Sequence, residues 1–323
     1  MKTVRILICV ILVVFMLFTP GWLVSKAQRS FVDARFVRKE PEYSGVILLY
    51  HIVRQRPYAG SLTQWLKTRA EAFEKKHKGI YIEIEGMDEA SFYERLENGR
   101  VPDAYSFFSG TLYRDRLADL DDFGIAFREG LFQTDRAVPY CYTGYCILKK
   151  TPDVNGGRIY CADDVLAART GNGENDAPED KADVLYLDLR RAGDLIRYKD
   201  GFALAVTEPI DNFTDAVCWL GVDRDTSAEK AEALASFFAF LLEEDPQKTL
   251  NTLGLMSVRA DVRNVPPDAG LRKIFQTYER VRTVDPFLWN TAFDTLTEDA
   301  KLARAGNAEA LERFTKRLHE LHR

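Results

Sequence analysis

The chain has 323 residues, of which 46% are hydrophobic and 29% charged, and carries a net charge of −5. That length supports two domains of ordinary size with a buried core, and the composition excludes a disordered or fibrous chain. The acidic balance, with no basic stripe, excludes nucleic acid as the main partner.

The N-terminus differs from the rest. Met1-Lys2-Thr3-Val4-Arg5 is a short basic region, Ile6 to Phe18 is unbroken apolar sequence, and Thr19-Pro20-Gly21 breaks a helix. Ser25-Lys26-Ala27 then offers small residues where a signal peptidase reads. Residues 1–27 are therefore expected to be a secretory signal peptide or, uncleaved, a membrane anchor. Both place the body of the protein outside the cytoplasm. Cys9 lies inside the apolar run, which argues against a lipoprotein anchor there. Four cysteines remain: Cys141, Cys146, Cys161 and Cys218. In an oxidising compartment they permit two disulfides in any of three connectivities; Cys141 and Cys146 could face each other across a turn, or all could be small buried hydrophobes. The C-x4-C spacing is not a zinc signature.

Gly45 to His51 is a continuous apolar run, the pattern of a strand buried on both faces. Ser61-Leu62-Thr63-Gln64 is a capping box, after which Leu62, Trp65, Leu66, Arg69, Ala70 and Phe73 mark one helix face. Lys75, Lys76 and Lys78 suit the helix C-terminus and Gly79 its left-handed cap. Ile80 to Glu85 alternates as a strand, Asp88 opens a helix carrying Phe92 and Leu96 that ends at Gly99, and Asp103 to Phe108 is a third strand. Strands alternating with helices predict a parallel sheet whose ligands bind at the strands' carboxyl ends. Residues 52–60 and 107–113 are then the loops to watch.

Leu112 to Asp122 reads as helix with Leu117 and Leu120 inward. Val138 to Leu148 is strand-like, and Thr170 to Asp183 is polar without apolar periodicity, hence a surface loop. Its carboxylates (Asp176, Glu179, Asp180, Asp183) match no calcium loop. Phe202 to Thr207 and Val217 to Val222 are further strands. Thr226-Ser227-Ala228-Glu229 is a second capping box, opening a helix with Ala231, Leu234, Phe238, Leu241 and Leu242 inward. Asp245-Pro246 begins another helix, Gly254 closes it, and Leu255 to Arg259 is extended. Helices near 271–281, 287–305 and 307–322 finish the chain; Asn307 caps the last, with Leu311, Phe314, Leu318 and Leu321 as its core stripe.

In order along the chain, these landmarks resemble an extracellular solute-binding protein of an ABC importer, of the sugar-binding group. Trp65-Leu66 through Phe73 to Ile80 is similar to that family's opening helix and second strand, and Pro102-Asp103 with Leu120-Asp121-Asp122 to its next landmark. Val138-Pro139-Tyr140 resembles the first crossing between lobes and Phe202 to Pro209 the return. Ala233 to Arg259 resembles the late helix pair, and Trp289 with Ala305-Gly306 and Ala308 to Leu311 the ending. The resemblance implies a two-lobe type II periplasmic-binding-protein-like α/β fold. Lobe 1 would comprise 28–137 plus 202–225, and lobe 2 would comprise 138–201 plus 226–323. It departs from the family between the crossings, where only about residues 150–200 are available, so the second lobe is expected to be reduced; Lys149-Lys150 also replaces a tyrosine-asparagine step.

The resemblance further implies a monomer that captures a small solute, a sugar or oligosaccharide, for ABC permease subunits, with no cofactor. A sugar site needs aromatic faces and fixed polar groups. Trp289 matches the stacking position of the closing helix, and Trp219, Tyr142, Phe108 and Ser109 match cleft positions; Asp211 and Asn212, after the return crossing, are candidate hydroxyl partners. Trp65 belongs to the helix core stripe. Phe107 and Phe108 face opposite ways, so only one can meet ligand. No nucleophile elbow, phosphate loop or dinucleotide glycine run is present, and the acidic pairs Asp121-Asp122 and Asp163-Asp164 point apart, which argues against an enzyme. His319 and His322 share a helix face and could grip a metal, though a solvated helix end is the simpler reading. The alternative function is a membrane-anchored binding-fold protein acting as a sensor or assembly partner without transport.

Overall fold

The structure is a computed structural model and describes residues 41–54, 56–144, 146–149, 159–161, 181, 184–187, 190, 194, 203–205, 213–304 and 307–323. The N-terminal segment 1–27, the loop carboxylates Asp176, Glu179, Asp180 and Asp183, and the candidates Asp211 and Asn212 lie outside the described residues. The fold below is that of the unit from Glu42 to Arg323.

The opening alternation folds as its periodicity predicts. Strand β1 (Gly45–Ile52), helix α1 (Leu62–Lys76), strand β2 (Ile80–Met87), helix α2 (Glu89–Glu97) and strand β3 (Ala104–Phe108) follow in order, and β1 pairs in parallel with both β2 and β3. Ser61 caps α1 by accepting from the Gln64 amide at 3.4 Å, and Asp88 caps α2 through the Ser91 amide at 2.8 Å. Gly79, at φ 97°, turns the chain from α1 into β2 in a conformation that side chains resist. Buried and exposed residues alternate through most of β2, as befits an edge strand, whereas every residue of β3 is buried. The open edge is blunted where the Glu74 carboxylate accepts the Ile82 amide at 2.8 Å.

The chain then leaves and returns. Strand β4 (Val138–Tyr142) ends, and β5 (Cys146–Lys149), β6 (Ile159–Cys161), β7 (Val184–Leu187) and β8 (Ala203–Ala205) form a second sheet in the order β6-β7-β5-β8. Strand β9 (Phe213–Thr214) brings the chain back to β10 (Val217–Val222). Next come α3 (Ala228–Leu241), α4 (Glu244–Leu250), β11 (Met256–Ser257), α5 (Arg272–Tyr278), β12 (Arg282–Thr283), α6 (Trp289–Arg304) and α7 (Ala308–Leu321). The first sheet has six strands in the order β11-β4-β10-β3-β1-β2. Antiparallel β10 and β4 sit inside it, so the outgoing and returning strands are hydrogen-bonded neighbours.

Helices cover both faces. On one, Phe73 of α1 meets Phe237 and Phe240 of α3, Trp65 stacks on Tyr140 of β4, and the Trp65 indole donates to Thr249 of α4 at 2.8 Å. Helix α3, in the 226–323 stretch expected with the second lobe, thus packs on the first sheet. On the other face Phe92 of α2 meets Tyr105 edge-on.

Five local expectations need correction. Residues 112–122 form only a 3-10 turn, Arg114–Arg116. Leu117 bridges to Asp223 and the Ala118 amide donates to the Val222 carbonyl, so pairing beside β10 displaces helix. The strand-like run 138–148 breaks at Thr143-Gly144, where a side chain on Gly144 would meet the Tyr278 ring at 2.3 Å. Cys141 faces Cys218 across β4 and β10, not Cys146 across a turn, and both are free thiols. Leu311 is exposed and Ala310 takes its place in the stripe with Phe314, Leu318 and Leu321, because Ala310, Phe314 and Leu318 recur at intervals of four. Helix α3 starts one residue late, capped by Ser227, while the Thr226 hydroxyl donates to the Asp103 carbonyl at 2.9 Å.

Candidate functional site

The carboxyl ends of β1 and β3, with the loops that follow, gather most of the described candidates. Ser109 follows β3 directly. Its hydroxyl accepts the Trp219 indole N–H at 2.9 Å and its carbonyl accepts Arg54 Nη1 at 2.9 Å. Trp219 reaches this point from the middle of β10, opposite Phe107 in the strand register. The Gly110 amide donates to the Pro286 carbonyl at 2.8 Å, and Phe107 and Phe287 lie 6.3 Å apart. The segment leading into α6 is thereby docked on this end of the sheet, and Trp289 is the first residue of that helix. Thr111 is fully buried; its carbonyl accepts the Tyr93 hydroxyl at 2.8 Å, while its own hydroxyl oxygen has no hydrogen-bond partner among the described residues.

Phe108 lies on the opposite face of β3 from Phe107, with Cys218 as its register partner. Tyr142 closes β4 at the point where the chain departs for the second sheet. Burial pushes its hydroxyl up to about 12, partly countered by the nearby Arg128 charge. The described candidates are well enclosed: Trp219 is 0% exposed, Ser109 1%, Tyr142 2%, Trp289 3% and Phe108 4%. The structure brings Trp219 and Ser109 into direct contact and sets Tyr142 apart on β4.

Sequence reading missed two features. Arg190, after β7, crosses to the loop behind β1, where its Nε donates to the Pro57 carbonyl at 3.1 Å and its Nη2 to that of Gly60. Nothing near Arg190 in the sequence marks it, although its target lies in the 52–60 loop singled out as ligand-facing. The second feature is a buried polar chain. His51 Nδ1 lies 2.8 Å from the Ser106 hydroxyl, which lies 2.8 Å from the Tyr140 hydroxyl, and all three residues are buried. Desolvation lowers the His51 pKa from 6.5 to about 4, against a smaller opposing effect of its Ser106 hydrogen bond, so the imidazole is neutral at physiological pH. A histidine placed at the end of an apolar strand was the available signal.

His319 and His322 do not converge on a metal position. His319 Nδ1 accepts from Arg282 at 3.1 Å, since guanidinium can only donate, and His322 Nδ1 donates to the Thr283 carbonyl at 2.7 Å. Both rings meet Phe213 edge-on, at 5.4 and 5.7 Å. Among the described residues no group of three or more His, Cys, Asp or Glu side chains is placed to hold a metal ion.

No family model matches the chain, and no curated protein matches it. Solved structures do. A chitin oligosaccharide binding protein aligns with a TM-score of 0.56 at 14% identity, covering 86% of this chain and 99% of its own. Iron-bound HitA from Pseudomonas aeruginosa gives 0.55 at 15% identity, with 79% and 99% covered. The GacH receptor of Streptomyces glaucescens, solved unliganded and with acarbose, gives 0.53 at 14% identity, with 87% and 99% covered. Such neighbours include substrate-binding proteins of ABC transporters and are binding proteins rather than enzymes. At these identities what is shared is the architecture: the chain has the α/β fold of the type II periplasmic binding proteins.

Proposed function

We propose that this chain is an extracytoplasmic solute-binding protein that captures a sugar or oligosaccharide between two lobes and delivers it to the permease of an ABC importer. It acts as a monomer without a cofactor and catalyses no reaction. The observation that carries the reading is the junction at the carboxyl end of β3, where Trp219 is locked to Ser109 beside the docked start of α6. For Trp219 to meet a sugar the packing that buries it must open, and the Arg190 link to the loop behind β1 is one contact between the second sheet and that end of the first. Trp289 and Tyr142 supply further apolar faces once the lobes part, and Asp211 and Asn212 supply hydroxyl partners, whereas Phe108 lies on the sheet face away from Trp219. Neighbours of the same fold bind ligands as different as chitin oligosaccharide, iron and agropinic acid, so the sugar rests on the aromatic side chains rather than on the fold.

A thermal-shift screen of the protein against a sugar panel, with ferric iron and amino-acid derivatives as comparison arms, tests the reading. A ligand at a hundred times its dissociation constant adds about 2.7 kcal/mol to stability. A shift with a sugar alone upholds the proposal, and a shift only in a comparison arm refutes the sugar. A second reading, an anchored binding-fold protein serving as sensor or assembly partner without transport, draws support from the burial of every described candidate under the chain's own packing. Silence from the whole panel would favour it.

A further inference from the structure

Two cysteines meet in the middle of the first sheet. Cys141 on β4 and Cys218 on β10 are direct partners in an antiparallel pair, and both are buried. Their side chains face each other: the Cys218 thiol lies within hydrogen-bonding reach of Cys141 and of the Tyr140 hydroxyl. Opposed residues of an antiparallel ladder stand about 4.5–5.5 Å apart at Cα, inside the span of about 4.4–6.8 Å that a disulfide bridges. Cys146 and Cys161 are placed otherwise. They pair with opposite sides of β7, Cys146 with Leu187 and Cys161 with Tyr186. Two strand spacings put their backbones roughly 9–10 Å apart, beyond direct bridging. Cys141 lies within β4, whose end is held between β10 and β11, whereas Cys146 opens β5 in the other sheet.

We propose that Cys141 and Cys218, two free thiols in the structure, become joined in the exported protein as a disulfide that closes the chain's excursion through the second sheet. The two thiols together give up two protons and two electrons to the disulfide of an exported thiol oxidase, which leaves as a dithiol. A mixed disulfide forms first on one cysteine, and the thiolate of the other displaces it. In the folded chain burial pushes the Cys218 thiol well above its ordinary range and shields both groups, so the exchange takes place on the unfolded chain during export. Everything from Tyr142 to Val217 then lies inside one covalent loop. The second sheet, whose strands are only three or four residues long, is tethered at its base on entry and exit alike. The role of this link rests on the export assumed in the proposed function; the pairing itself rests on register.

The full chain, reduced and denatured, is refolded in a glutathione redox buffer, alkylated in denaturant and digested without reductant for mass spectrometry. The expected product is a peptide pair joining Cys141 to Cys218, lighter by two hydrogens, together with a urea midpoint that falls when reductant is added. In Cys218→Val, which keeps an apolar group at the site, the linked pair disappears and the midpoint stops responding to reductant. Alkylation of both residues in the refolded parent, or Cys141 joined to Cys146 or Cys161, overturns the proposal. A chain that carries the link but binds no solute upholds this inference and fails the proposed function.

Discussion

Gln247→Leu tests how the outgoing strand is anchored. Gln247 lies on α4 and is fully buried. Its Nε2 donates to the Tyr140 carbonyl at 2.9 Å and the Leu241 carbonyl at 3.1 Å, while its Oε1 accepts from the Ser257 hydroxyl at 2.7 Å and the Val258 amide at 3.2 Å. One side-chain amide therefore joins β4, the end of α3 and the two-residue strand β11. Leucine keeps much of the volume and removes all four bonds. Each buried bond contributes about 1 kcal/mol net, and a donor left without a partner costs about 1–3 kcal/mol. The Ser257 hydroxyl can turn away, but the Val258 amide cannot, so the expected loss is about 3–5 kcal/mol. Against a typical stability of about 5–15 kcal/mol this is a large fraction. With a urea slope near 3 kcal/mol/M, the midpoint should fall by about 1–2 M. A cycle with Ser257→Ala should return a coupling of about 1 kcal/mol, because the two side chains share one of the four bonds. A midpoint within about 0.3 M of the parent would refute this account of β4.

Other expectations are smaller in scope. His51 is neutral when folded, with a pKa of about 4, and takes up a proton near 6.5 once unfolded. The unfolded chain therefore binds more protons between those values, and stability should fall as pH drops from 6.5 to 4, by on the order of 3 kcal/mol; His51→Gln should flatten that dependence in urea titrations at each pH. Phe314→Ser should cost about 3 kcal/mol or more, whereas Leu311→Ser should stay within about 0.5 kcal/mol, since of these two α7 residues Phe314 is buried and Leu311 exposed. Arg190→Ala removes both donors to the loop behind β1, and hydrogen exchange should accelerate at residues 58–60 while β3 keeps its protection. Unchanged exchange at 58–60 would show that the loop is held without Arg190.

The first half of the sheet was legible because its signals were local and agreed with one another. Ser61 and Asp88 cap helices whose apolar stripes contain the buried sets, with Arg69 and Leu96 only partly buried, and the uninterrupted apolar run of β1 marks a central strand. Residues 112–122 were not legible because their structure depends on partners a hundred residues away. Leu117 has an apolar helical neighbour in Leu120, yet its bridge to Asp223 and the contact of Arg116 with Asp223 at 2.9 Å draw the segment out along β10. The cysteines stayed open for a related reason. Sequence allowed a Cys141–Cys146 turn, other pairings or small buried hydrophobes; that Cys141 and Cys218 are buried register partners is set only when β10 returns. Of the candidate site, the position of Ser109 just past the carboxyl end of β3 was readable. The contact of Trp219 with Ser109 and the reach of Arg190 were not, because each spans about a hundred residues or more of intervening chain.

The return path is secured as firmly as the departure, and the C-terminal histidines are part of that security. Strand β9 pairs in parallel with β12, joining the returning segment to the stretch just before α6. Phe213 of β9 meets the rings of both His319 and His322 edge-on, with the Arg282 guanidinium 5.9 Å from its own ring. His322 ties α7 to the Thr283 carbonyl, and Arg282 in turn donates to His319. Helix α7 is itself fastened to α6 by Arg313, which meets the buried Asp299 at 2.9 Å. The same side chains that suggested a metal grip in the sequence thus clamp the point where the chain re-enters the first sheet. A sheet of short strands inserted between β4 and β10 cannot set its own orientation by bulk. It inherits orientation from these anchors: β4 held by Gln247, β10 by Trp219 and Ser109, and β9 by the β12 ladder beneath α7. Under the proposed function, bending on the outgoing side would fall on the stretch that contains Thr143-Gly144, between β4 and β5.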